Sequence, residues 1–396
     1  MDGYIAGPSV APGSARASTR TRRGIASVVL AVLLGFASIS TDLYLPAMPA
    51  IGESLNADTG MIEWTISGYL IGFSVGQLFW GPIGDRFGRR LPVAIGLVLF
   101  VIGSAGCALA DSVGAMIGWR VVQAVGACAG VVLARAMARD LYEKERAAQM
   151  LSTLMTIMAV APLLGPLLGG QVLALAGWRA IFWLLVGIGT ITLIALATLP
   201  ETLPRQRRRR EALGSVLFGY VNLLTDRRLL AYTFAGAFFY GGLFAYIAGT
   251  PFAYITYHHV PPQLYGVLFS IGIVGIMATN FANAKLIPRI GSTILLMRGT
   301  LLAALAGVVL AVATHQGWGG LAGLVVPLFV FVGAAGFIIA NSIAGALSRF
   351  PDRAGAVSAA PMLTVTCPPD APAWWPRRSA PGPGVARPRR RCWRWC

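Results

Sequence analysis

The sequence predicts an all-α membrane protein with many spans, and three observations carry that prediction. Ten apolar segments follow one another between residues 25 and 346, each near the ~20 residues that cross a bilayer. Charged residues make up only 12% of the chain and mean hydropathy is +0.69, whereas a soluble domain carries about 25% charged residues. The net charge of +17 is gathered in alternate short loops and in the two ends of the chain. That distribution points to a lipid bilayer as partner and away from nucleic acid.

Taken in order, residues 1–24 are small, polar and basic without apolar periodicity, and read as a disordered tail. The spans are expected at about 25–47, 63–83, 92–110, 114–136, 150–174 and 180–199, then 230–254, 264–286, 293–313 and 321–346. Loops on one side carry Arg86, Arg89 and Arg90, then Arg139, Lys144 and Arg146, then the run from Arg205 to Arg210 with Arg227 and Arg228, then Lys285, Arg289 and Arg298. The opposite loops hold Glu53, Asp58, Asp111, a single Arg179, His258, His259 and His315. Basic loops stay in the cytoplasm, so the amino terminus is expected there too. The basic stretch 201–228 divides the spans into six and four, which implies an amino-terminal bundle (25–200), a linker and a partial second bundle (229–348). From about residue 359 the chain turns Pro-, Arg- and Trp-rich and cannot span a membrane. It reads as translation of a shifted frame, with a basic tail lying on anionic lipid as the other reading.

Ionisable groups inside spans are costly and point to function. Asp42 stands near one end of the first span and Arg120 near the same end of the fourth. Each lies about five residues, or ~8 Å, below the boundary, so they share a depth. A buried carboxylate near a guanidinium can take up and release a proton as its surroundings change. The turn Gly81-Pro-Ile-Gly-Asp-Arg-Phe-Gly-Arg-Arg90 packs one acid, three arginines and three glycines between two spans. Asp140 and Glu143, at the end of the fourth span, are placed to pair with its arginines. In the fifth span, Ala161-Pro-Leu-Leu-Gly-Pro-Leu-Leu-Gly-Gly170 combines two prolines with three glycines, which kink a helix and allow close backbone approach. Five scattered cysteines form no C-x-x-C pair, and no metal cluster or nucleophile–base pair is evident.

Four stretches together resemble the major facilitator superfamily, specifically its bicyclomycin/chloramphenicol-resistance branch. They are the G-x-x-x-D-R-x-G-R-R turn at 81–90, Arg120-Val-Val-Gln123, the G-P-x-x-G-G core of the fifth span, and Thr41-Asp-Leu-Tyr-Leu-Pro46. The resemblance implies two helical bundles with substrate between them, here a six-helix bundle followed by an incomplete four-helix one. It implies roles for Gly81, Asp85, Arg86, Gly88, Arg89, Arg90 and Asp140 as a conformational loop. It makes Pro162, Gly165, Pro166, Gly169 and Gly170 a hinge, and Asp42 and Arg120 the proton-coupling pair. In the family, the acid matching Asp85 faces an eleventh helix, which this chain lacks. An echo of the turn, Lys285-Leu-Ile-Pro-Arg-Ile-Gly291, falls where an internal repeat would place it.

Tyr69, Gln77, Gln123, Phe238, Tyr240, Tyr246, Asn280 and Asn341 are candidate substrate-lining residues, an aromatic and weakly polar set. The expected activity is proton-coupled export of small lipophilic compounds by alternating access, not an enzymatic reaction. The proton is the coupling ion, with no cofactor, and the protein is expected to act as a monomer. The rival readings are a non-functional frameshifted product and a major facilitator carrier of sugars or small metabolites.

Overall fold

The computed structural model describes residues 12–141, 144–208 and 227–347. Among them the chain is helical throughout, with no strand. We label the α-helices α1 (Pro12–Asp42), α2 (Met48–Ser54), α3 (Thr59–Phe87), α4 (Arg90–Ala108), α5 (Val113–Leu141), α6 (Lys144–Ala176) and α7 (Trp178–Ala197). The second half supplies α8 (Arg227–Pro251), α9 (Pro262–Ile290), α10 (Ser292–Gln316), α11 (Gly320–Gly333) and α12 (Ala335–Leu347). A 3-10 turn at Leu45–Ala47 joins α1 to α2, and a π-helical turn, Phe252–Tyr257, extends α8 beyond Pro251.

Every expected span coincides with helix. Eight described segments are long and apolar enough to cross a bilayer, the last being α11 and α12 together, broken at Ala334. The other two expected spans lie in α3, where Glu63, Ser74 and Gln77 lower the hydropathy, and in α6, whose described apolar run is Val160–Ala176. α1 starts at Pro12 rather than near residue 25, so residues 12–24 are helical where a disordered tail was expected. Proline suits a first turn, and the Ala- and Arg-containing sequence that follows favours helix. The expectations for residues 1–11, for the linker at 209–226 and for the tail from 359 lie outside the described residues.

The first half packs around α5, which lies against α1, α3 and α4 and carries Leu133, Ala134 and Met137 fully buried. Small residues set how closely these helices approach. A methyl group on Gly126 would meet the Phe100 amide and the Gly96 carbonyl of α4, so α4 and α5 touch backbone to backbone. α3 ends at Gly88, whose φ of +97° only glycine adopts without strain. α9 ends the same way at Gly291, with φ +85°, in the echo of that turn. The second half keeps a smaller core around Phe239, Leu296, Ala303, Ala334, Ala335 and Ile338.

Gly126→Ala is therefore expected to destabilise the protein by about 1–3 kcal/mol through overpacking, although alanine is the better helix former. Gly187→Ala, which meets nothing within 4 Å, should be neutral or stabilising. Thermal melts of the two purified variants check the contrast.

Candidate functional site

Arg120 projects from α5 into the centre of the first half and is fully buried. Its guanidinium carbon lies 4.6 Å from the Tyr44 ring centroid and 4.5 Å from that of Tyr69. A cation over desolvated rings gains about 2 kcal/mol or more. Nη1 donates to the Ser40 carbonyl at 3.1 Å and to Gln123 Oε1 at 2.7 Å. Gln123 Nε2 in turn donates to Ser104 Oγ at 2.8 Å, and that hydroxyl donates to the Phe100 carbonyl at 2.7 Å. The two tyrosines are themselves fixed, Tyr69 Oη against Ser40 Oγ and Tyr44 Oη against Thr65 Oγ1, both at 2.6 Å. One cation thus ties α1, α3, α4 and α5 together. Gln123 and Tyr69, expected to line substrate, are instead buried parts of this clamp.

Asp42 is 6% exposed at the last position of α1. It forms no ion pair with Arg120, because the guanidinium reaches the backbone of Ser40 two residues earlier. Arg120 thus meets α1 within two residues of Asp42 without contact between the two charges. The carboxyl lies against α6: a methyl group on Gly165 would sit 2.6 Å from Asp42 Cβ, and one on Gly169 would strike the Leu43 carbonyl. Oδ2 has no hydrogen-bond partner among the described residues.

The same stretch of α6 also meets the second half. A methyl on Gly170 would sit 2.6 Å from the Pro262 carbonyl, and one on Gly266 would sit 2.7 Å from the Leu167 amide. Ser270 Oγ donates to the Leu163 carbonyl at 3.0 Å. The hinge glycines thus let one face of α6 seat the end of α1 while its neighbours seat the start of α9. Pro162 stands one turn before Gly165 and is partly buried. Asp42 therefore lies beside the stretch of α6 on which the two halves join.

At the other end of the molecule, the turn at 81–90 is organised by Arg89, which is 7% exposed. Its Nη1 pairs with Asp85 Oδ1 at 2.7 Å and its Nε donates to Asp140 Oδ2 at 2.9 Å. Arg86 points outward over the Phe87 ring, and Arg90 Nη2 donates to the Ala197 carbonyl at 2.8 Å. Gly81 has open space around it. Glu143, the other expected partner, lies outside the described residues.

Glu201 was missed as a site residue. It sits in Pro200-Glu-Thr-Leu-Pro204, which reads from sequence as the terminator of the sixth span. In the structure it accepts from the backbone amides of Arg89 at 2.8 Å, Leu203 at 3.1 Å and Arg90 at 3.3 Å, with Arg208 Nη2 3.9 Å away. A side chain on Gly88 would collide with its carboxylate. An acid on the far side of a glycine-terminated basic turn was the available signal.

Of the remaining expected lining residues, Tyr240 is partly buried and stacked on Phe244 with centroids 6.4 Å apart. Tyr246 is buried against Phe269 at 5.5 Å. Gln77 is partly buried on α3. Asn341 is 1% exposed and donates to Asn283 Oδ1 and the Phe337 carbonyl, both at 2.8 Å, so it cross-links α12 to α9. Phe238 is 79% exposed beside Phe234, and Asn280 is also exposed, so neither belongs to the packed aromatic set. Periodicity alone does not tell a lipid-facing side of a span from an inward one.

Partial burial acts to raise the pKa of Glu201, but the amides of Arg89, Leu203 and Arg90, with Arg208, outweigh it and hold the carboxyl below its ordinary range. A depressed folded pKa adds stability that is present above the unfolded value and is lost as pH falls through the folded one. Glu201→Gln should therefore melt lower than the wild type near pH 7, and the gap should close as pH drops below about 4. Paired melts from pH 7 to pH 3 test this.

The chain matches the Major Facilitator Superfamily over residues 30–366. It is 34% identical over 339 residues to an uncharacterized MFS-type transporter, YdgK of Bacillus subtilis, covering 84% of each chain. It is 29% identical to a bicyclomycin resistance protein homolog of Haemophilus influenzae, covering 83% of this chain and 82% of that one. Its fold is similar to that of a D-xylose-proton symporter, with a TM-score of 0.65 at 17% identity over 86% of this chain and 89% of the other. With its helical bundles, its turn at 81–90 and a match spanning most of its length, this chain is a membrane transporter that belongs to the major facilitator superfamily.

Proposed function

We propose that the protein exports small lipophilic, drug-like compounds from bacterial cells across the inner membrane in exchange for protons, with its amino terminus in the cytoplasm. Similarity to a bicyclomycin resistance protein homolog supports the substrate class. The charge alternation of the loops supports the orientation. One observation carries the coupling: Asp42 is a buried carboxyl with an unpartnered oxygen, seated where α1, α6 and α9 converge.

In this reading the structure is closed at the end where α6 meets α9, and substrate enters from the basic end. Substrate binding displaces the Asp42 proton toward the cytoplasm. When the seam between α6 and α9 parts, substrate leaves, and a proton from the far side neutralises the carboxylate. A neutral Asp42 packs against α1 and α6 at lower desolvation cost than an ionised one, which favours return to the closed arrangement. Arg120 acts as a positioning residue: it holds the Ser40 carbonyl and so fixes the end of α1 on which Asp42 sits.

Asp42→Asn should fold and melt like the wild type, yet lose proton-driven uptake of chloramphenicol into inside-out vesicles by tenfold or more. Undiminished uptake by that variant overturns the coupling role.

A further inference from the structure

At the end of the second half away from the 81–90 turn, the π-helical turn, α10 and α11 enclose a cavity of about 90 Å³. The π-helical turn builds one wall. Its closing bond runs from the His258 amide to the Ala253 carbonyl, five residues back, at 3.1 Å. That wider winding brings Ala253, Tyr257 and His258 onto one face, and all three line the cavity. Tyr254, which does not line it, packs instead on Tyr265 of α9 with ring centroids 6.0 Å apart. The cavity is therefore set off from the seam between α6 and α9. Thr314 of α10, Trp318 and Leu324 of α11 form the facing wall. A methyl group on Gly323 would strike the Trp318 carbonyl, so α11 is seated close under the loop that carries the indole.

Ala253 and Leu324 are buried, while Tyr257 and Trp318 are exposed and form an aromatic rim. Tyr257 stands edge-on to the His258 ring, with centroids 4.9 Å apart at 86°. The His258 imidazole forms no hydrogen bond among the described residues. Burial, and then the neighbouring His259, holds its pKa below the ordinary value, so at pH 7 it is neutral and one ring nitrogen can accept. The Thr314 hydroxyl already donates to the Leu310 carbonyl at 2.7 Å, so it too can only accept. No lining residue carries a fixed charge, which favours a neutral occupant over an ion. A water needs only about 10–15 Å³, and a closed apolar cavity of about 150 Å³ takes up benzene. A space between these limits, opening beneath two aromatic side chains, fits one flat ring whose edge reaches water. We propose that this cavity is a binding site for small neutral aromatic compounds that carry a hydroxyl, phenol being the simplest, with the ring between Ala253 and Leu324 and the hydroxyl donating to His258. The site stands apart from the export reading, since it uses no residue of the seam and none around Asp42.

The chain has three histidines, at 258, 259 and 315, which makes the site readable by NMR. Full-length protein carrying ¹⁵N-histidine, in nanodiscs of phosphatidylethanolamine and phosphatidylglycerol, is titrated with 4-fluorophenol at pH 7. His258→Gln identifies the His258 imidazole signal. In the wild type that signal should move to a plateau, while those of His259 and His315 move less. Fluorobenzene, which lacks the hydroxyl, should need about fivefold more to reach half-saturation, the scale of one lost hydrogen bond. Ala253→Leu and Thr314→Leu fill the cavity from opposite walls, and either should abolish the movement. Melting curves show which variants fold, and one folded variant suffices. A His258 signal that does not move, the result if a lipid chain fills the cavity, overturns the proposal. So does movement without a plateau, equal movement of all three signals, or movement that survives a folded cavity-filling variant. Equal half-saturation by the two compounds removes the hydroxyl from the recognition and overturns the ligand class.

Discussion

A fully buried guanidinium is the constraint on which the first half depends. Removing such a group from water costs several kcal/mol even after relaxation, so its surroundings must supply compensation from several directions at once. Two tyrosine rings, the Ser40 carbonyl and Gln123 supply part of it, while Nε and Nη2 of Arg120 have no hydrogen-bond partner among the described residues. The clamp therefore acts as a registration device: α1 cannot slide against α5 without stripping Arg120 of a partner. That fixed register is what brings the end of α1, with Asp42, onto the glycines of α6. The close approach there matters because it keeps the carboxyl dry without placing a side chain over it.

Much of this was legible in the sequence because charge inside a span is a loud signal. Asp42 and Arg120 were identified on that ground, and the turn at 81–90 on its density of arginine and glycine. The hinge was legible from glycine and proline spacing, although its contact with Asp42 was not, since no pattern in one helix reveals which neighbour its small residues admit. Gln123 looked like a lining residue because polarity within a span has two explanations, substrate or a buried partner, and only geometry separates them. Glu201 was overlooked because its role depends on three backbone amides, and backbone donors leave no trace in a sequence. Phe238 and Asn280 lie exposed, outside the packed aromatic set, and in a bilayer both faces of a helix are apolar, so burial does not follow periodicity.

The halves differ in how they are held. The first has a cationic clamp and an ionic cluster, while the second shares in the main apolar core through Tyr246, Tyr265 and Phe269 and adds amide contacts such as Asn341 with Asn283. Residues 227–347 contain no Asp or Glu, whereas the first half sets Asp42 beside the stretch of α6 that meets the second.

Of the four described ion pairs, three lie within the first half and one within the linker, and none bridges to the second half. The seam between α6 and α9 instead combines closely set glycine backbones and one serine hydroxyl with buried apolar side chains such as Tyr265 and Phe269. Parting it breaks none of the described ion pairs, and it uncovers Asp42 and the apolar side chains packed beside it. Ionic strength, which loosens charged gates, therefore has little hold on its opening.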